Sequence, residues 1–446
     1  MKIKNLLKIC GCFLLAATCL SSCGSTIPEL IIYEYVNAAT KDKIKSYGMK
    51  FKTTIKEKYG EDINISFLDF ASAEEMDTRM QMNALNNFFP TIVISETDNI
   101  GAYVKNYGSF VQDLEEISSG KIDDFVGEYL REGQSYSTKG TYSLPLYKTN
   151  DVLYYSYDDI IGKTINNVTL SEDYMNNLNW EKFLDVASLI KSNKEMFPNV
   201  KTPILYQSEL NLLLCLANDK KVPLYDLENG TLNLTFSNDK TRSLISEVAE
   251  LYQKGILTSK TLIKQGSSDD ETTYFSAGNA VMYVGSALDA GNVSAKFGTK
   301  KVGFTSLPTS STLFSGPSIS VFKDGSAKSK NEKEVKYGKE FVSYLLEPSS
   351  LSSLSIASNG YIPSRISSTN DTIYESYLKS NTLQAKINKF IINSEDVKDS
   401  YIYYPSTFGS KFIKNSLSGA LIQVALGKKD INKALDDAMS SCLPYI

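Results

Sequence analysis

Strand-like and helix-like segments alternate along the first hundred residues of the chain. Residues 30–35 form an apolar and aromatic run typical of a strand, and residues 41–59 place apolar side chains on one side of a helix. A strictly alternating strand at 63–67, a helix beginning near Ala73 and an apolar strand at 90–95 follow. This order predicts an α/β fold with parallel strands, in which ligands bind beyond the carboxyl ends of the strands.

The same alternation resumes in the second half of the chain. Asn179 is placed to cap a helix over residues 180–190, because apolar side chains fall on one helical face there. Further strands are predicted at 232–234, 280–284 and 301–304, and further helices at 239–252 and 332–346. A chain of 446 residues with 42% hydrophobic residues is long enough to form two cores.

The amino terminus reads as an export signal. Three lysines precede an apolar run of about a dozen residues, which is short of the ~20 that a membrane-spanning helix needs. The run ends in Leu20-Ser21-Ser22-Cys23, which resembles the leader of bacterial lipoproteins. That resemblance implies a signal peptide at 1–22, diacylation of Cys23 with chains such as palmitate, and a lipid-anchored tether at 23–29. The chain would then sit on the outer face of the cell membrane. A plain signal peptide with a chance cysteine is the alternative.

Composition excludes several classes of chemistry. The chain has no histidine, which removes Ser-His-Asp and Cys-His catalysis and the common zinc hydrolase sites. No phosphate-binding loop or dinucleotide fingerprint is present, so no cofactor, metal or catalytic residue is predicted. Without residues 1–22, 44 basic residues face 51 acidic ones, and a net charge of −7 argues against a nucleic-acid partner. The sequence does not decide whether Cys215 and Cys442 form a disulfide.

Several motifs occur in an order that resembles a known family. Residues 144–156 read LPLYKTNDVLYYS, and further motifs follow at 179–183, 274–282, 306–308, 315–318, 359–363 and 426–436. Together they resemble the extracellular solute-binding proteins of ABC importers, in the large family that binds sugars and glycerol-3-phosphate. The resemblance covers nearly the whole mature chain. It implies a two-lobed periplasmic-binding-protein-like fold with a hinge and an interlobe ligand cleft.

The resemblance also implies function and partners. We expect a monomeric, non-enzymatic receptor that captures a carbohydrate or related polyol and delivers it to the permease subunits of an ABC importer. Residues 30–150 and 309–362 are predicted to form lobe I, and residues 151–308 and 363–446 to form lobe II. The chain is expected to cross between the lobes near 150–153, 307–318 and 361–364.

Ligand-binding residues are implied by similarity to the glycerol-3-phosphate-binding branch of this family. The positions expected to face the ligand are Thr149, Asn150, Ser286, Gly316 and Tyr361. Glu96 matches an acidic ligand-binding position of that branch, where a carboxylate can accept two hydroxyl hydrogen bonds; its alternative is a solvated loop charge. The candidates for stacking against a sugar ring are Tyr35, Phe70, Tyr147, Tyr361 and Tyr404.

One departure from that branch bears on the ligand. Its phosphate-holding arginine has no counterpart at residues 403–410, which leaves Lys148, Arg365 or Lys411 as the remaining candidate cations. Neutral sugars are therefore favoured, with glycerol-3-phosphate or a phosphodiester as the runner-up ligand. A surface glycosidase using carboxylates such as Asp158 and Asp159 stays open. So does an adhesin lipoprotein that kept the fold without the ligand.

Overall fold

The computed structural model describes residues 27–134, 140–228, 231–266, 270–326, 332–404 and 406–445. The predicted signal peptide and the lipidation site Cys23 lie outside the described residues. Among the helices of the described residues, none is both long enough and apolar enough to cross a bilayer.

The strands of the described residues are, in chain order, β1 (Glu29–Glu34), β2 (Asn64–Asp69), β3 (Ile92–Glu96), β4 (Leu144–Pro145), β5 (Tyr147–Ser156), β6 (Thr164–Ile165), β7 (Val168–Thr169), β8 (Ile204–Tyr206), β9 (Tyr225–Glu228), β10 (Thr231–Leu234), β11 (Leu257–Ser259), β12 (Met282–Ser286), β13 (Val302–Thr305), β14 (Thr312–Ser315), β15 (Pro317–Val321), β16 (Ile362–Pro363) and β17 (Tyr401–Ile402).

The helices are α1 (Ala38–Tyr59), α2 (Ala73–Ala84), α3 (Ile100–Tyr107), α4 (Glu115–Ser118), α5 (Gly127–Glu132), α6 (Tyr157–Ile160), α7 (Glu172–Asn176), α8 (Trp180–Ser192), α9 (Glu209–Asp219), α10 (Asp239–Gln253), α11 (Lys260–Gly266), α12 (Glu271–Ser276), α13 (Ala290–Phe297), α14 (Glu332–Leu345), α15 (Pro348–Ala357), α16 (Ile366–Thr369), α17 (Thr372–Leu378), α18 (Leu383–Asn393), α19 (Glu395–Asp399), α20 (Ser410–Ala425) and α21 (Ile431–Cys442). Short 3₁₀ helices span Thr97–Asn99, Ser119–Asp124, Ala287–Asp289 and Leu443–Tyr445.

The first lobe is built on a five-stranded sheet with the order β2-β1-β3-β15-β4. Strand β1 pairs in parallel with β2 and β3, whereas β15 runs antiparallel to β3 and β4. Ile32 and Ile94 on one face of the sheet belong to a core with Phe51 of α1 and Phe341 of α14. The opposite face packs against α2 and α3. The parallel β1-β2-β3 arrangement agrees with the predicted strand order.

The second lobe is built on a sheet with the order β11-β8-β12-β5-β14-β17, in which β13 and β16 also pair with β5. One face contributes Leu153 and Val284 to a core with helices α8, α9 and α10, and the other contributes Tyr154 and Tyr283 to a core with α12, α13 and α18. Each sheet has its own buried apolar residues on both faces, so the predicted two-lobed α/β fold is confirmed.

Short segments carry the chain between the two sheets. Leu146 joins β4 of the first sheet to β5 of the second, and Gly316 joins β14 of the second sheet to β15 of the first. The crossing at Leu146 therefore lies before the predicted range 150–153, because residues 150–153 are inside β5. The crossing at Gly316 lies within the predicted range 307–318. The lobe boundaries themselves stay a prediction. Cys215 and Cys442 are both buried free thiols.

Candidate functional site

A cavity of about 390 Å³ lies between the lobes, where the carboxyl ends of β1 and β3 open. Parallel strands end at one edge of a sheet, and the loops that follow them form the wall of this cavity. Tyr147, at the start of β5, lines it and packs into the core of the first lobe, whereas Leu288 lines it from the second lobe. The remaining lining residues are Tyr35, Val36, Asn37, Thr40, Ala73, Met76, Ile94, Ser95, Glu96, Pro317, Ser358, Asn359 and Tyr361.

Glu96 is the acidic residue of this cavity and ends β3. Water reaches its side chain, but the walls of the cleft surround the carboxyl group, and this desolvation raises its pKa above the ordinary value. The positive charge of Lys148 and a backbone hydrogen bond from Gly316 oppose that rise, whereas Asp98 and Glu132 add to it. Glu96 is thus a hydrogen-bond acceptor held in a partly dry cleft.

Glu96 also lines a second, smaller chamber of about 90 Å³. Asp151 of β5 lines it and accepts a hydrogen bond of 2.8 Å from the amide of Asn211. Burial raises the pKa of Asp151 to about 6, with Asn211 acting in the opposite direction. Tyr404 and Lys414 line the same chamber from the second lobe. None of these four residues, apart from Tyr404, was among the predicted site residues.

The buried ammonium group of Lys148 lies next to the chamber, because its ion-pair partner Glu132 lines the chamber. It forms an ion pair with Glu132 and donates to the carbonyl oxygen of Gly316 at 2.7 Å, to Thr97 at 3.3 Å and to Ser318 at 3.4 Å. The Lys148 side chain has no exposed surface. Its donors are therefore used by the protein, and it connects β5 of the second sheet to the first lobe.

Three of the predicted ligand-binding residues lie together on the cavity. Tyr35, Glu96 and Tyr361 all line it. Half of the Tyr35 surface is exposed, and the Tyr361 ring packs against Tyr147 with the ring centroids 4.9 Å apart. Two aromatic rings and one carboxylate therefore share the same space between the lobes.

Thr149 and Ser286 are not among the residues that line the cavity. Their hydroxyl oxygens are 3.3 Å apart. Ser286 accepts a hydrogen bond of 3.2 Å from the Leu288 amide, and its own amide donates to the side chain of Gln207 at 2.9 Å. This pair positions the turn that brings Leu288 to the cavity, and direct contact with a ligand stays a prediction.

Asn150 and Gly316 also lie outside the lining of both cavities. Asn150 is buried, and its amide nitrogen has no hydrogen-bond partner among the described residues. Gly316 has φ of 142°, and a Cβ atom there would lie 2.4 Å from the carbonyl oxygen of Tyr147. Glycine is required at this crossing because a side chain would displace β5.

The remaining predicted candidates have identifiable structural partners. Phe70 packs against Tyr33, and Tyr147 is buried beneath Tyr361. Asp158 accepts from the Lys301 amide at 2.9 Å and Asp159 accepts from Ser156, so these carboxylates hold a turn and line neither cavity.

The candidate cations are paired with carboxylates. Arg365 pairs with Asp124, and Lys411 lies 3.5 Å from Asp77 and 3.6 Å from Glu74. Across the described residues, no group of acidic, histidine or cysteine side chains is arranged to hold a metal ion.

Two α/β lobes joined by short crossings around a polar cleft define the two-lobed binding-protein fold, and solved structures agree. The GacH receptor of Streptomyces glaucescens, solved unliganded and with acarbose, has a TM-score of 0.66 at 13% identity, covering 94% of this chain and 99% of its own. The cyclic α-maltosyl-1,6-maltose binding protein from Arthrobacter globiformis has a TM-score of 0.70 at 13% identity, covering 93% and 98%. A cyclo/maltodextrin-binding protein complexed with maltotetraose has a TM-score of 0.68 at 17% identity, covering 95% and 98%. No family model matches the chain, and no curated protein matches it.

Proposed function

We propose that this protein is a lipid-anchored extracellular solute-binding protein that captures a carbohydrate or related polyol between its lobes and delivers it to an ABC permease. The observation that carries the proposal is the interlobe cavity with Glu96, Tyr35 and Tyr361 on its wall. A carboxylate accepts hydroxyl hydrogen bonds, and tyrosine rings offer flat apolar faces to a sugar ring. The three similar structures carry names that describe sugar ligands or sugar complexes, which supports the same ligand class here.

The charges around the cleft favour a neutral ligand over a phosphate ester. Lys148 is engaged by Glu132 and three oxygen acceptors, and Arg365 by Asp124 and the Leu346 carbonyl oxygen. Lys414, which lines the chamber, is paired with Asp98. A phosphate group would need one of these three cations to leave its carboxylate partner, which is costly. Glycerol-3-phosphate is therefore the weaker of the two candidate ligands.

Lipid anchoring, delivery to a permease and a monomeric state complete the proposal. The lysine-rich leader and Cys23 support the anchor, and capture without catalysis is supported by the use of Asp158 and Asp159 in local hydrogen bonds. Replacing Cys23 by alanine should release the chain from the membrane and abolish fatty-acid labelling. Labelling of the Cys23→Ala protein would disprove the anchor without affecting the binding proposal.

Titration calorimetry of the mature protein tests the binding proposal. Short neutral sugars of several linkage types and glycerol-3-phosphate are titrated separately, and the sugar solutions are analysed afterwards for cleavage products. We expect binding of at least one neutral sugar, weaker or absent binding of glycerol-3-phosphate, and no cleavage. Turnover of the bound sugar would identify a glycosidase instead. Absence of any heat across the panel would favour an adhesin.

A further inference from the structure

The narrow chamber beyond Glu96 ends at a wall formed by both lobes. Lys414 of α20 pairs with Asp98, which follows β3. Beside this ion pair, the Gly101 amide donates to the hydroxyl oxygen of Ser406 at 2.8 Å, and that hydroxyl donates to the Asp98 carbonyl oxygen at 3.1 Å. These contacts join the start of α3 in the first lobe to the segment before α20 in the second.

The wall is closely packed at its centre. A Cβ atom on Gly101 would lie 2.5 to 2.7 Å from three backbone atoms of Thr407, which is closer than real Cβ atoms approach. The two backbones therefore meet without a side chain between them, and nothing as thick as a sugar ring passes at this point.

The space in front of the wall is too small for a ring. The chamber's volume of about 90 Å³ is smaller than the cavity of about 150 Å³ that admits a benzene ring in a protein interior. A hydroxyl or hydroxymethyl group fits there, but a pyranose ring does not. The larger cavity of about 390 Å³ on the other side of Glu96 is of the size usual for small-molecule sites.

Behind the wall lies a separate crevice of about 290 Å³ between α2, α3 and α20. Asp98 lines both the crevice and the chamber, so its pair with Lys414 stands between them. Phe408 and Phe412 line the crevice and are 38% and 48% exposed, and the Phe412 ring is stacked on Tyr445 at 3.8 Å. A surface of this kind suits a sugar ring, but the wall separates it from the Glu96 cavity.

We propose that the wall formed by Lys414, Asp98, Ser406 and Gly101 stops the sugar from extending past Glu96, so that this receptor selects short saccharides of one or two rings. The inference rests on the proposed function and adds a size limit to it. A longer chain extending past Glu96 would stand where these contacts form and would hold the lobes apart. A short sugar lets the wall assemble behind it, and only then do both lobes contact the ligand.

Calorimetry with paired ligands tests this limit. Maltose and maltotetraose, cellobiose and cellotetraose, and xylobiose and xylotetraose are titrated into the mature protein and into Lys414→Ala. In the series that binds, we expect the disaccharide to bind at least about tenfold more tightly than the tetrasaccharide, and we expect Lys414→Ala to shrink that ratio by several-fold. Gly101→Ala should shrink it too, because its Cβ keeps the wall from closing.

The matched control is Lys411→Ala, which removes another lysine of α20 that faces carboxylates of the first lobe but lines the crevice and not the chamber. The ratio of disaccharide affinity to tetrasaccharide affinity should be the same in Lys411→Ala as in the wild type. A wild-type preference for tetrasaccharides, or a ratio unchanged in both Lys414→Ala and Gly101→Ala, overturns the length limit while leaving sugar binding intact. Absence of binding by any sugar to the wild type overturns the proposed function and the limit together.

Discussion

Glu34 is a buried carboxyl group that accepts no hydrogen bond from the described residues. Only 1% of it is exposed, and among the described residues no N–H or O–H group donates to either side-chain oxygen. It lies opposite Asp69 in the β1–β2 register. Burial and the neighbouring Asp69 raise the pKa of Glu34 to about 8, although Lys45 and Lys41 act in the opposite direction. Glu34 is therefore protonated at neutral pH, and its proton can be donated to Asp69.

Because the folded chain keeps the Glu34 proton, we expect the free energy of unfolding to depend on pH. The unfolded chain releases it near the ordinary pKa of 4.5, whereas the folded chain keeps it to about pH 8. Between these values the folded state binds the extra proton, so the contribution of Glu34 to the free energy of unfolding is fully present below pH 4.5 and is lost as pH rises to 8. Glu34→Gln should remove this loss.

Urea unfolding at pH 5 and pH 8.5 measures the effect. The difference in the free energy of unfolding between Glu34→Gln and wild type should shift in favour of the variant at the higher pH. Glu57→Gln, an exposed change on α1, serves as the control and should behave like wild type. Parallel pH profiles for all three proteins would show that Glu34 is ionised in the folded state.

Replacing Glu96 is expected to change the affinity for the sugar and not the stability of the fold. Its carboxylate is open to the cavity and hydrogen-bonded by the Gly316 amide, so Glu96→Ala removes an acceptor for sugar hydroxyls. We expect the sugar to bind about 1.5–3 kcal/mol less tightly, the range for hydrogen bonds to a charged group. The melting temperature without sugar should change little. Asp158→Ala is the matched control, and an equal loss of affinity in that variant would place the ligand elsewhere.

Strand β5 is the element that joins the two lobes. It pairs with β12, β13, β14 and β16 in the second sheet, and its residue Lys148 reaches Glu132, Thr97 and Ser318 of the first lobe. A buried ion pair adds little to stability relative to apolar residues, but removal of one partner leaves a buried charge uncompensated. The cost should therefore depend strongly on which residues are replaced.

A double-mutant cycle tests this element. Lys148→Met should lower the free energy of unfolding by about 3–5 kcal/mol, because the buried Glu132 carboxylate loses the ammonium group. The double variant Lys148→Met with Glu132→Gln should recover much of that loss. Equal destabilisation by the single and double variants would mean that the ion pair does not govern stability. Chemical denaturation at neutral pH provides all three values.

At the scale of helices and strands, the sequence predicts the features that depend on residues close together in the chain. The alternation of apolar residues located β1, β2, β3 and α1, and Asn179 caps α8 by accepting from the Lys182 amide at 2.9 Å, as predicted. The small chamber was not predictable in this way. Its Lys414–Asp98 pair joins residues 316 positions apart, and the Asn211–Asp151 bond joins residues 60 apart. No local pattern carries such pairings, because they form only when the two sheets are assembled.

The whole molecule is a pair of lobes whose contact at the wall is polar and partly exposed. The side chains of Lys414 and Asp98 are 22% and 29% exposed. Ion pairs of this kind contribute about 1 kcal/mol or less, and the hydrogen bond between Ser406 and Gly101 adds a similar amount. Contacts this weak do not hold the lobes together alone, so a bound solute that touches both lobes should shift the population toward the closed form.

Small-angle X-ray scattering of the mature protein should therefore show a smaller radius of gyration with sugar than without it. The sugar is the tightest ligand from calorimetry, at saturating concentration, and light scattering should report a monomer in both states. Gly101→Ala should show a reduced contraction at saturation, because its Cβ and the Thr407 backbone cannot both occupy the closed position. Lys411→Ala should contract as the wild type does. If the wild-type radius stays unchanged at saturation, the lobes do not close on the ligand, and the wall cannot select its length.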